Sequence, residues 1–191
     1  MQLQQLKRED FDYQAAYCEE NIWHLSRRLS QLDPHLESYA MFIFSQGDAF
    51  PMQNQRASEH PELPIFWDYH VVLAVVTRDV QIFDFDTTLP FMTPIEDYFS
   101  YSFMDEALLI QPETPLFRLV PATEYIALFS SDRSHMRTQK GWFAPPPSWP
   151  TIGNNGTNLT EFTQAKDNRL GEVLTQNAVL SRFTETTKKV L

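Results

Sequence analysis

His70-Val71-Val72-Leu73-Ala74-Val75-Val76, then Thr77-Arg78-Asp79, then Val80-Gln81-Ile82-Phe83-Asp84-Phe85-Asp86 is the stretch that decides the fold. The first run is apolar at every position after His70. It reads as a central strand buried on both faces, the end of a longer strand candidate from Ile65 to Val76. The third run alternates, and the short polar break between them makes an antiparallel hairpin. Pro90 and Pro94 end it.

Upstream, Ile22, Leu25, Leu29 and Leu32 recur at helical spacing over Cys18 to Leu32, with Glu19, Glu20, Arg27 and Arg28 mostly on other faces. The early acids and later arginines suit the helix dipole, and Pro34 stops the helix. Tyr39 to Phe44 reads as a strand, and residues 45–64 as one long loop, a length often tied to function. Downstream, a helix is expected from Ile95 to Leu109 with Tyr98, Phe99 and Phe103 on its apolar side. A strand follows at Phe117 to Val120, then a short helix from Thr123 to Phe129 with Thr123 as N-cap. Pro145-Pro146-Pro147 and Pro150 predict a stiff exposed connector, and Asn158 to Phe183 one or two helices. Strands grouped between helices predict an α+β fold in one domain over 1–191, with residues 1–12 and 184–191 as flexible tails.

The chain has 191 residues, 42% of them hydrophobic and 14% aromatic, enough for a core without metal or disulfide staples. A single cysteine excludes an intrachain disulfide and a four-thiolate zinc site. With 25 acidic and 15 basic residues the formal charge is −10. That sheath opposes binding to nucleic acid, which needs Lys/Arg to displace counterions, and docking on anionic lipid. No apolar run approaches the ~18 residues of a membrane-spanning helix. Met1 to Asp12 has no apolar core of a secretory signal, so Asn158-Leu159-Thr160 is a chance sequon and a reducing cytoplasm is the expected compartment.

Cys18 opens a predicted helix, where the positive end of the dipole favours thiolate, the nucleophilic form. The plainer alternative is a small buried residue packing like alanine. His70 lies opposite Asp84 if the hairpin turns about residue 77, and opposite Asp86 if it turns about residue 78. Either register brings a carboxylate to the imidazole, and a one-residue slip substitutes Phe85. A strand edge with scattered polar residues is the competing reading. Helix-borne Cys, then His and Asp on neighbouring strands, is the order of papain-like and transglutaminase-like enzymes, an analogy at the level of fold. His24, His35 and His60 have no ligand spacing, so no metal is expected. His135 reads as a hydrogen-bonding loop histidine rather than a base, and no elbow motif surrounds Ser134.

Five blocks in one order then become specific: Tyr17-Cys18-Glu19-Glu20-Asn21-Ile22-Trp23; Trp67-Asp68-Tyr69-His70-Val71-Val72-Leu73; Asp84-Phe85-Asp86-Thr87 with Leu89-Pro90-Phe91; Ser131-Asp132-Arg133-Ser134-His135-Met136; and Pro145-Pro146-Pro147. Together they resemble the protein N-terminal glutamine amidohydrolase family. The resemblance implies a transglutaminase/papain-like cysteine hydrolase fold, an antiparallel sheet packed against helices. It implies conversion of an N-terminal Gln to Glu, a step that in eukaryotes feeds the arginine branch of the N-degron pathway. The family's catalytic cysteine falls on Cys18, its histidine on His70 and its aspartate on Asp84.

The chemistry so implied is thioester formation at Cys18, with His70 moving the protons and Asp84 orienting it, and no cofactor. The Cys18 N–H is one natural oxyanion donor. Substrates would be proteins or peptides with a free N-terminal Gln, taken by a monomer. Something anionic must meet the α-ammonium; Glu19, Asp68 and Asp132 are the candidates. By strand parity Asp68 shares a face with His70, and Trp67 and Tyr69 point away from it. Two rivals remain: a deamidase or transglutaminase acting on internal Gln, and an inert module that binds N-terminal residues.

Overall fold

The computed structural model describes residues 3–60, 63–166 and 169–190. Residues 1–2 and 191 of the two expected tails lie outside these, as do the side chains of Lys188 and Lys189. In chain order the elements are α1 (Cys18–Leu32), β1 (Ser38–Phe44), β2 (Phe50–Met52), β3 (Ile65–Trp67), β4 (Tyr69–Val76), β5 (Val80–Phe83), β6 (Met92–Pro94) and α2 (Ile95–Ser102). They continue with β7 (Leu116–Pro121), α3 (Ala122–Leu128), β8 (Arg137–Thr138), β9 (Gly141–Trp142), α4 (Leu159–Phe162), β10 (Glu172–Leu174) and α5 (Gln176–Val190). The fold is α+β around one six-stranded sheet, ordered β10-β7-β1-β4-β5-β6, with every pairing antiparallel.

Both faces of the sheet are covered, which is why β4 is apolar throughout. One face buries Phe42, Leu73 and Val75 against Ile22, Leu25 and Leu29 of α1, Tyr125 of α3 and Phe162 of α4. The other buries Met41, Val72, Ala74 and Ile82 against Tyr98 and Phe99 of α2 and Val179 of α5. The three buried α1 residues recur at helical spacing, so this stripe sets the rotation of the helix. The direction of its first turn follows. Ala16 holds a left-handed φ of 67°, a conformation that normally costs a non-glycine residue about 1 kcal/mol. The Asn21 side chain clasps both the N–H and the C=O of Gln14, each at 2.9 Å. These fasten the incoming chain to the helix start without a side-chain cap on Tyr17.

Several expectations need correction. The strand from Ile65 to Val76 is two strands, because the chain bends at Asp68, whose Oδ1 accepts the Tyr69 N–H at 2.9 Å. β3 leaves the main sheet and pairs with β2, a strand inside the supposed loop 45–64. The helix from Ile95 stops at Ser102, and only a 3-10 turn at Glu106–Leu108 continues the expected range. Thr123 is not a cap; α3 begins at Ala122, after Pro121. The helices expected within Asn158 to Phe183 are α4 and α5, but an edge strand at Glu172–Leu174, which was not expected, lies between them. Gly171 makes this possible: at φ +79°, a Cβ there would sit 2.0 Å from the Leu119 carbonyl of β7. Pro147 of the supposedly exposed connector is buried.

The fully buried Arg118 ties the last third of the chain to the sheet. Its guanidinium donates to the carbonyls of Phe162 (2.8 Å), Leu170 (2.9 Å) and Gln164. A buried charge is tolerable only with such hydrogen bonds.

Candidate active site

The hairpin β4–β5 turns about residue 78, with Val76 opposite Val80 and Leu73 opposite Phe83. Extended, that register would bring Asp86 against His70. Pairing ends at Phe83, however, and the chain turns through Asp84-Phe85-Asp86. The imidazole therefore meets the first aspartate: His70 Nε2 lies 3.0 Å from Asp84 Oδ1, and both side chains are sealed from solvent. Strand parity alone could not give this, because the partner lies just past the end of the ladder.

Asp84 is held by more than His70. The Asp86 N–H donates to its Oδ1 at 2.8 Å and the Tyr98 hydroxyl to its Oδ2 at 2.8 Å. Burial pushes the Asp84 carboxyl up, but the His70 charge and these donors outweigh it and hold it below its usual range. The converse holds for His70. Burial pulls the imidazole down, yet the Asp84 charge and hydrogen bond, with Asp86 and Glu19 beyond, leave it raised. An ionised Asp84 fixes the proton on Nε2 and leaves Nδ1 as the basic nitrogen. Nδ1 is buried with no hydrogen-bond partner. Trp67 stacks on the ring at 5.2 Å between centroids, 17° from parallel.

Cys18 reaches the same place from the other side. It is the first residue of α1, and it packs in the same buried cluster as Val71, next in the chain after His70, whose backbone favours the ionised sulfur. Cys18 is buried, and its thiol lies 3.7 Å from Glu19 Oε2. The expectation of a thiolate is not met. Burial raises the thiol well above its ordinary value, and the Glu19 and Asp86 charges add to this against the pull of Val71. The helix start does not offset desolvation beside a carboxylate. The Cys18 sulfur therefore rests as a thiol.

A cavity of about 760 Å³ opens onto this point. Cys18, Asp86 and His135 form part of its wall, together with Trp67, Asp68 and Tyr69. The parity argument that turned Trp67 and Tyr69 away thus fails at the Asp68 bend, and all three residues reach the cavity. Of the other acids noted from sequence, Asp68 is exposed at the wall. Asp132 is exposed, outside the lining, and accepts the Ser134 N–H at 2.9 Å. Glu19 is wholly buried and also outside the lining. Its Oε2 takes the Tyr69 hydroxyl at 3.0 Å, and its Oε1 lies 3.3 Å from His135 Nε2, an ion-pair distance without hydrogen-bond alignment. Glu20, placed on an outer face by the pattern, is buried in a pair with Arg133 (Nε 2.9 Å, Nη2 2.8 Å). The helical wheel misses this because the segment 131–150 covers the first turn of α1.

His70, Asp84 and Asp86 bring potential metal-ligand atoms within 4.8 Å of one another. Both Asp84 oxygens already accept hydrogen bonds, and Asp86 Oδ1 accepts one from Tyr13 at 2.6 Å, so a cation would have to displace them. Tyr98 and Tyr13 were not legible as site residues. The one available signal was that a buried phenol needs a partner for its hydroxyl. Among the described residues, no helix is long and apolar enough to cross a membrane.

The profile of a family described as N-terminal glutamine amidase matches residues 13–183. A protein of Drosophila virilis named protein N-terminal glutamine amidohydrolase is 39% identical over 155 residues, covering 78% of this chain and 75% of the relative. Its namesake in Drosophila ananassae is equally similar over the same length, and that of Drosophila melanogaster is 38% identical over 154 residues, again 78% and 75% of the two chains.

Proposed function

The chain belongs to the N-terminal glutamine amidase family, and from that premise we propose that it hydrolyses the side-chain amide of an N-terminal glutamine, releasing ammonia and leaving glutamate. The observation that carries the mechanism is the sealed His70–Asp84 pair beside the helix start that bears Cys18.

Because the resting thiol is protonated, attack and deprotonation are coupled. His70 Nδ1 takes the thiol proton as Sγ bonds to the amide carbon, and the carbonyl π electrons move to oxygen. The Cys18 N–H is a donor for that oxyanion. When the carbonyl re-forms, the C–N bond breaks, and ammonia departs with the proton from His70. Water, deprotonated by the same nitrogen, then cleaves the thioester to release glutamate and restore the thiol. Asp84 keeps Nε2 protonated and stabilises the imidazolium, and Tyr98 and the Asp86 N–H keep Asp84 in place.

The order of a helix-borne Cys, then His and Asp from adjoining strands of an antiparallel sheet, supports a transglutaminase/papain-like fold. One sheet covered on both faces supports a single catalytic domain over 1–191. The lone thiol supports a cytoplasmic setting, and the acidic surface supports peptide substrates rather than nucleic acid or lipid.

The test is ammonia release from a Gln-first peptide against acetylated and internal-Gln controls. Release only from the free-amine peptide, lost in a folded Cys18→Ala protein, is the expected result. Equal release from acetylated or internal Gln favours a general deamidase, and an active Cys18→Ala protein ends the mechanism. Alkylation of Cys18 does not separate an enzyme from an inert binder here, since burial slows it in both.

A further inference from the structure

An enzyme that acts only on a terminal Gln must sense the free amine, and the α-nitrogen of an extended Gln lies about 5 Å from the amide carbon that sulfur attacks. The reader therefore has to be an acceptor in the wall of the cavity that holds Cys18, one side-chain length from it. We propose that Asp86 is this reader, its carboxylate pairing with the substrate α-ammonium. The inference rests on the amidohydrolase reading above and adds the residue that confines it to chain termini.

Asp86 is the buried acid in that wall. It is 7% exposed, and it shares the lining with Cys18. One carboxylate oxygen is fixed: Oδ1 accepts the Tyr13 hydroxyl at 2.6 Å. Among the described residues no hydrogen bond to Oδ2 is seen, and the residue belongs to the cavity wall. The backbone is equally constrained. The Asp86 N–H goes to Asp84 Oδ1 at 2.8 Å, and its carbonyl accepts the Arg56 N–H at 2.7 Å. Arg56 lies near enough to act on the carboxylate, but its Nη1 donates to the Phe85 carbonyl at 3.1 Å. A preorganised, desolvated carboxylate discriminates ammonium from amide or hydrogen far better than an exposed one.

The other acids serve less well. Asp68 also lines the cavity, but it is exposed, and its Oδ1 accepts the Tyr69 N–H. Glu19 is outside the lining and is already engaged by Tyr69. Asp132 lies off the cavity.

The test uses binding, so it needs no turnover. A Gln-first peptide is compared by calorimetry with its 4-carbamoylbutanoyl counterpart, which keeps the amide and carbon chain but lacks the amine. On Cys18→Ala protein the Gln-first peptide is expected to bind roughly 10- to 100-fold more tightly, the range for a hydrogen-bonded charge. In Cys18→Ala/Asp86→Asn, which retains an acceptor for Tyr13, that ratio falls to within about threefold of one while the affinity for the amine-free peptide holds. If Asp86→Asn fails to fold by circular dichroism, Asp86→Glu moves the charge by one methylene and is expected to shrink the ratio.

A ratio unchanged in these variants overturns the proposal. So does an equal loss for both peptides, which would make Asp86 only a support for Asp84. Loss of the ratio in Asp68→Asn instead would assign the role to Asp68 and likewise overturn it. The two readings separate cleanly: an amine-dependent ratio without ammonia release by the unsubstituted protein removes the enzyme and keeps the reader, and release without the ratio does the reverse.

Discussion

Replacing Asp84 by Asn keeps the shape of the most buried polar contact in the site and removes its charge. The substituted side chain can still accept the Asp86 N–H and the His70 Nε2–H on Oδ1, while its NH2 group turns to the Tyr98 oxygen, now an acceptor. Packing is preserved; the ion pair is not. A hydrogen bond to a charged group is worth about 1.5–3 kcal/mol. If that much imidazolium stabilisation is lost in the transition state, kcat/KM for a Gln-first peptide falls by roughly 10- to 150-fold. Burial alone then acts on His70, apart from the more distant acids, so the imidazole drops from its raised value. The acid limb of the pH–rate profile accordingly moves to lower pH.

Stability carries a matching signature. His70 is raised by folding, so its contribution is complete below an unfolded value of about 6.5 and fades as pH rises through its folded value. Asp84 is lowered, so its contribution is present above about 3.9 and fades as pH falls through its folded value. Asp84→Asn removes both, costs about 2 kcal/mol between those limits and lowers the melting midpoint by roughly 4–8 °C. Ammonia release across pH, with calorimetric melts at the same pH values, reads both effects. An acid limb that stays put or moves upward would refute the assigned pairing, as would undiminished kcat/KM.

Two further outcomes follow from buried charge. Glu20→Ala removes the partner of a guanidinium that is 7% exposed, and although Arg133 keeps the carbonyls of Pro147, Trp149 and Pro150, the loss should be about 3–5 kcal/mol, on the order of 10 °C in a thermal melt. A shift of only about 1 °C would show that the pair contributes little. Cys18 should react slowly with iodoacetamide at neutral pH, with a rate still climbing above the ordinary thiol value, and Glu19→Gln should speed it by removing the nearest negative charge. Rapid neutral alkylation of the unsubstituted protein would contradict the raised thiol.

The features that depend on local period were legible before any coordinates. Cys18–Leu32 is a helix because Ile22, Leu25 and Leu29 form one stripe, and the apolar run through Val76 is a central strand because no face of it tolerates water. Cys18 and His70 stood out from the helix start and the hairpin, but the choice of Asp84 over Asp86 was legible only with the order of the family's blocks, since hairpin register left the two aspartates equivalent. The readings that failed did so where a neighbour distant in sequence intervenes. Parity breaks at Asp68 because β2 draws β3 into a second sheet, and Glu172–Leu174 is a strand because Leu119 and Arg118 offer it an edge.

The sequence by itself determined which segments must hide from water and which side chains carry reactive chemistry, because both are written in residue type and spacing along the chain. Only the tertiary structure decided that the turn after Phe83 presents Asp84 to the imidazole and Asp86 to the cavity, and that the Cys18 thiol stays protonated. Those outcomes depend on desolvation and on charges brought together from the first helix, the N-terminal segment and two strands, and electrostatic energy follows distance through the folded interior rather than separation along the chain.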